Sequence, residues 1–288
     1  MAFDVGILFA IATMLSWGIA DFFAKKAIDS VGYKTSLLLN HATALAPIAV
    51  CAVVFFRVPS PSALLIMITL LAGVLGMLGY VFFYRGFEKG SVSVVSPISA
   101  SWSVITTLLA VVLYNERLVP LQIVGVTAVF LGVFFAATNF SQFRQSIRKG
   151  RSNGVFDGAA SMVAWGFCYA LLKPMSGWVG PILAICLLRA VAAATLFSWS
   201  GITKTKICLP TKWVLLLIVS AGLLDFLGFI TFNLSMATDY VAVVSPIAAT
   251  APAVTIALAY FILKEKVVTN QKIGIIAILT GLILISLV

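Results

Sequence analysis

Four ionisable side chains, Asp21, His41, Arg189 and Asp225, stand deep inside apolar runs of this 288-residue chain. Charge at such depth is costly in a bilayer unless it meets a partner or a watery cavity, so these positions are read as functional or paired. Arg189 and Asp225 read as a mutual pair, gating or partly structural. His41 is the sole histidine, read equally as a proton carrier or as a satisfied structural group. Aromatic and hydroxyl residues accompany them at helical spacing. Trp17 and Asp21 are four apart, as are Ser161, Trp165 and Tyr169; Gly76, Tyr80 and Tyr84 form a third stripe, and Asp225, Phe229 and Asn233 a fourth. A step of four keeps neighbours on one helix face. Ser96, Ser99, Ser103 and Thr106, with Trp102 beside them, add a fifth polar face. Aromatic walls with few polar groups are the composition of a small-molecule site. The chemistry is recognition: rings pack against an apolar stem while hydroxyls, amides and charges hold amino and carboxylate ends. The candidate substrate-binding set is Trp17, Asp21, His41, Tyr80, Tyr84, Ser99, Trp102, Trp165, Tyr169 and Asn233. Any one hydroxyl is more often a helix-contact residue than a ligand, and Tyr33, Tyr114, Trp178 and Trp213 read as interfacial belt residues.

Bond-making chemistry finds little support. The chain has no HExxH, no GxSxG and no GxxxxGK[ST] phosphate cradle, so a metal hydrolase, a serine hydrolase and an ATP-driven pump are not expected. Neither a metal nor another cofactor is expected. Cys51, Cys168, Cys186 and Cys208 show no CxxC spacing and read as packing residues. The net charge of +10 lacks a basic stripe interleaved with stacking aromatics, so it points to loop topology in a membrane and away from nucleic acid.

The elements that must position these residues are membrane helices. Hydrophobic residues make up 62% of the chain and charged ones 10%, against about a quarter charged in soluble domains. At about 20 residues per span, turn and charge punctuation divides the sequence into ten segments: 4–25, 33–56, 62–84, 91–113, 119–138, 154–174, 180–201, 212–234, 240–262 and 270–288. The expected fold is an all-α integral membrane protein. The polar stretch NFSQFRQSIRKGRSN, 139–153, lies near the middle, giving a first five-helix unit over 1–140, a linker over 141–153 and a second unit over 154–288.

The two units are copies. VVSPI occurs at 94–98 and again at 243–247, and residues 92–125 align without gaps on 241–274 with fourteen identities in thirty-four. Gly6, Trp17-Gly18 and Lys25 fall on Gly154, Trp165-Gly166 and Lys173, while Gly73 and Gly79 fall on Gly222 and Gly228. Because five is odd, consecutive copies sit upside down relative to one another. The loops between helices 1–2, 3–4, 5–6, 7–8 and 9–10 carry fifteen Lys and Arg, while the opposite side carries three. This bias places the odd-numbered loops in the cytoplasm and both termini outside. Pro97 and Pro246, one in each copy, read either as a helix-start signal or as a gate or flex point.

Ten helices in two inverted repeats, WG in the first helix of each and an SP-started fourth helix running into an E-[RK] turn, resemble the drug/metabolite transporter superfamily. The similarity is to its EamA-type exporters, and within them most to the YddG group of amino-acid exporters. The resemblance implies a secondary transporter working by alternating access, with a central cavity lined by helices 1–4 and 6–9 and with helices 5 and 10 peripheral. It implies amino acids, aromatic ones included, and related metabolites as substrates, the bilayer as the remaining partner, no cofactor, and a bacterial inner-membrane location with periplasmic termini. The monomer is a plausible functional unit. Inverted repeats with a midplane site are a recurrent transporter design. The other readings are efflux of lipophilic cations in exchange for protons and, last, a membrane-embedded enzyme.

Overall fold

The computed structural model describes residues 5–55, 62–90, 92–137, 154–263 and 269–287. The linker expected at 141–153 therefore lies outside the described residues. Every described element is helical: α1 (Val5–Phe55), α2 (Ala63–Lys89), α3 (Val92–Ala100), α4 (Trp102–Tyr114), α5 (Pro120–Ala137), α6 (Val155–Val179), α7 (Pro181–Ile202), α8 (Lys212–Thr238), α9 (Val241–Ala248), α10 (Ala251–Leu263) and α11 (Thr269–Ser286). Six helical stretches among the described residues are long and apolar enough to span a bilayer, and three shorter apolar helices of 10–17 residues accompany them. This is a multi-pass membrane protein. Its surface is inverted relative to a soluble one: Val53, Val112, Phe156 and Ile202 are exposed, whereas Asn40, His41, Arg189, Asp225 and Asn233 are buried. Outer apolar side chains suit lipid, and the polar groups turn to the protein interior.

Three breaks shape the bundle. α1 is two limbs joined at Gly32, whose φ of 77° and ψ of 161° are open to glycine and strained for other residues. The amide of Tyr33, just past the break, donates to Glu88 Oε1 at 3.1 Å. The other two breaks follow the prolines. α3 ends at Ala100 and α9 at Ala248, so each VVSPI lies inside a short helix that starts before it. The helix-start reading of Pro97 and Pro246 is thus corrected: each is the sixth residue of its helix. Proline has no N–H to give the carbonyl four residues back and weakens the turn it interrupts. The two breaks carry matching short bonds, Ser101 N to Ile98 O at 3.3 Å and Val104 N to Ser101 O at 3.0 Å in one, Thr250 N to Ile247 O at 3.1 Å and Ala253 N to Thr250 O at 2.9 Å in the other.

Packing between the halves is reciprocal. α1 packs on α8 while α6 packs on α2. Trp17 lies against Gly228 and Trp165 against Gly79, where a Cβ at either glycine would overlap the indole. Thr106 Oγ1 donates to Gly166 O at 3.0 Å and Thr255 Oγ1 to Gly18 O at 2.9 Å. A Cβ on Gly18 would come within 2.5 Å of Val254 Cβ, and one on Gly166 within 2.6 Å of Ile105 Cβ. α5 and α11 pack mainly on each other, with Gly125 and Gly281 so close that a Cβ on Gly125 would meet Gly281 O at 2.9 Å. Small residues that allow such approach are the usual contact of membrane helices.

Candidate functional site

A partly open cavity sits where the two broken helices face α1, α2 and α6. α1 contributes Trp17 and Asp21, α2 Tyr80 and Phe83, and α6 Trp165 and Tyr169. The first break contributes Ser96, Ser99 and Trp102, the second Ala248, Ala249, Ala251 and Pro252, and α8 contributes Asp225. Of the ten residues expected from the sequence to bind substrate, seven therefore line one cavity.

Tyr169 is the centre of the aromatic wall. Its ring stacks on Trp17 at 5.7 Å and on Trp165 at 6.3 Å, and Trp102 meets it edge-on at 4.4 Å. The indoles are pinned from behind: Trp17 Nε1 donates to Asp225 O at 3.4 Å and Trp165 Nε1 to Gly76 O at 3.2 Å. The pair of WG dipeptides thus positions rings and neighbouring backbone together, because each glycine admits the opposing helix while each tryptophan reaches across.

The remaining three expected residues lie elsewhere. Tyr84 lines no part of the cavity; it packs against Tyr80 at 6.1 Å, and Phe83 takes the lining position. His41 stands behind Tyr80, ring to ring at 4.9 Å, with Nδ1 3.2 Å from Leu37 O. Its Nε2 has no hydrogen-bond partner. Asn233 is fully buried toward one end of the bundle, where Nδ2 donates to Pro181 O at 2.5 Å and Oδ1 accepts from Ser176 Oγ at 2.9 Å. That amide ties α8 to α6 and α7.

The expected pairing of Arg189 with Asp225 is present, Nη2 to Oδ2 at 2.9 Å. The contact is an ion pair outside hydrogen-bond geometry, since neither atom has a hydrogen-bond partner. Tyr80 Oη donates to the other carboxylate oxygen at 2.5 Å, and the guanidinium lies over Tyr80 at 5.4 Å and Phe229 at 5.1 Å. Arg189 itself is not a wall of the cavity. The cation of one half is matched by the anion beside it.

Two buried carboxylates were not singled out from the sequence. Glu116 accepts from Val241 N at 3.1 Å and from Ala242 N at 2.8 Å, and pairs with Lys173. Asn115, left-handed at φ 52° and ψ 33°, ends α4 and turns Glu116 toward α9; asparagine tolerates that conformation better than most residues. Tyr240, at the N-cap of α9, supplies no side-chain cap, so Glu116 fills that role from the other half. At the opposite end Asp157 pairs with Arg85 at 2.5 Å and Lys89 at 3.0 Å. In the sequence Glu116 showed only as the first residue of the E-[RK] turn and as an identity with Glu265 in the repeat alignment, neither of which assigned it a partner. Of the cysteines, Cys168 and Cys186 are buried as expected and Cys208 is exposed. Tyr114, expected at the interface, donates to Ala170 O at 2.5 Å and is half-buried.

A family model described as the EamA-like transporter family matches residues 4–138 and 152–287. A solved structure titled only "Crystal structure of protein" is similar in fold, with a TM-score of 0.75 at 16% identity, covering 98% of this chain and 96% of that one. No curated protein matches in sequence.

Proposed function

We propose, from the premise that this chain belongs to the EamA-like transporter family, that it exports amino acids, aromatic ones included, and related small metabolites from the bacterial cytoplasm by alternating access. Members of the family are transporters of small molecules, not enzymes. The observation that carries the reading is the position of the cavity: it is walled by both helix breaks and by aromatic residues of both repeats. Broken helices at a repeat interface are where transporters of this kind hold solute. In this reading the chain crosses the membrane ten times as two inverted five-helix repeats, with Pro97 and Pro246 as flex points. Support comes from the ends that meet: Glu116 after α4 reaches Lys173 of α6 and the start of α9, whereas Arg85 and Lys89 of α2 reach Asp157 at the start of α6.

Counterflow of labelled aromatic amino acids in proteoliposomes tests the reading. Trp102→Ala or Trp165→Ala is expected to lower uptake about tenfold or more, the worth of one large apolar contact. Trp213→Ala, a change at an exposed residue, is expected to leave it within about twofold, as surface substitutions usually do. Equal behaviour of all three variants would remove the cavity from the transport path.

The topology has its own test. With fifteen loop cations on one side and three on the other, both termini are expected in the periplasm. Alkaline phosphatase fused after Val288 should be active, and a bright cytoplasmic fluorescent fusion at the same position would reverse the orientation.

A further inference from the structure

We infer that Asp21 is an ammonium subsite, and that the cavity holds a protonated amine lacking a carboxylate more tightly than the amino acid with the same side chain. The inference rests on the cavity being the transport site. Asp21 lines that cavity and, among the described residues, has no hydrogen-bond or ion-pair partner. The other carboxylate in the wall, Asp225, is occupied by Arg189 and Tyr80. With that pair neutral, the wall carries one unpartnered carboxyl group and no free cation. A carboxylate in low dielectric lacks its counter-charge until a ligand brings one.

Two further features fit a cation. Ser96 is 2% exposed, lines the same cavity and leaves its Oγ without a partner, so a lone pair is free to accept from an ammonium. The walls are rings, Trp17, Trp102, Trp165 and Tyr169 among them, whose faces attract cations. A zwitterion brings the same ammonium together with a carboxylate that meets no positive side chain in the wall. Its desolvation is uncompensated, and the ligand without it is favoured.

The test is binding to the purified chain in lipid nanodiscs by calorimetry, with 2-phenylethylamine, phenylalanine and 3-phenylpropionate as probes, followed by counterflow of the same solutes. Wild type is expected to bind the amine at least tenfold tighter than phenylalanine and the acid not measurably. In Asp21→Asn the preference for the amine should collapse toward one, while Asp21→Glu should retain most of it; thermal melting of both variants reports that they are folded. Equal or tighter binding of phenylalanine by wild type, or an amine preference that survives in Asp21→Asn, overturns the subsite. If the amine binds through Asp21 and no solute ever exchanges, the subsite stands and the transport reading falls. If solutes exchange without regard to residue 21, the reverse holds.

Discussion

An Arg189→Met variant is expected to lose about 3–5 kcal/mol of stability, the cost of stripping one partner from a buried ion pair. Arg189 is 1% exposed, so its guanidinium is the buried counter-charge that Asp225 loses in the variant. Asp225→Asn should be at least as damaging, because the guanidinium would keep only the ring faces of Tyr80 and Phe229. The double variant Arg189→Met/Asp225→Asn is expected to recover most of the loss, since it buries no net charge. Unfolding in mild detergent, followed by intrinsic fluorescence across the four-member cycle, measures the coupling. Losses that simply add would show that the two charges do not interact.

In the alternating-access reading proposed above, the second large effect is on the balance between states. Glu116→Ala deletes two charge-assisted bonds to the α9 amides and the Lys173 pair. At about 1.5 kcal/mol per lost bond to a charged group, the arrangement seen here should be disfavoured by about 3 kcal/mol, roughly a hundredfold in population. Lys173 is about a third exposed, so it returns to water without much penalty and the change falls mainly on α9. A cysteine placed at Ala248, in a background with the four natural cysteines replaced, reads the effect through its labelling by a membrane-impermeant thiol reagent added outside. Labelling should speed up strongly in Glu116→Ala and less in Glu116→Gln, whose amide oxygen still accepts one bond. An unchanged rate in both would reduce Glu116 to a helix cap.

Helical periodicity explains which site residues the sequence disclosed. One step of four residues turns 400°, only 40° beyond a full turn at 3.6 residues per turn. Trp17 and Asp21, or Trp165 and Tyr169, are one step apart and share the cavity. Two steps accumulate about 80° on the same geometry, so Asn233, eight residues from Asp225, has rotated off the face. On α2 the same single step fails: Phe83, about 60° to the other side of Tyr80, lines the cavity and Tyr84 does not, so periodicity alone could not choose between them. The proline repeats announced a break but not its place, because the helices begin upstream of VVSPI and fail only after it. The roles of Glu116 and Asp157 were hidden for another reason: each acts on a helix more than 60 residues away, reached only through the tertiary fold. The repeat alignment had already paired the residues that make the reciprocal contacts.

Those contacts bear on how such a protein can change. Trp17 and Trp165, Gly18 and Gly166, Gly79 and Gly228, Thr106 and Thr255 are identical between the copies, and each contacts the opposite copy. Asp21 faces Tyr169 in the alignment, Gly76 faces Asp225, and neither pair is alike. After a gene doubles, residues that clasp the sister copy are constrained twice over, once by each neighbour they fit, whereas residues that look only into the central space answer to the solute alone. The duplicated frame can therefore stay fixed while the cargo is renegotiated on one side at a time, so position 21, which lines the cavity and pairs with no other side chain among the described residues, is where a designer should look first to redirect the carrier without rebuilding it.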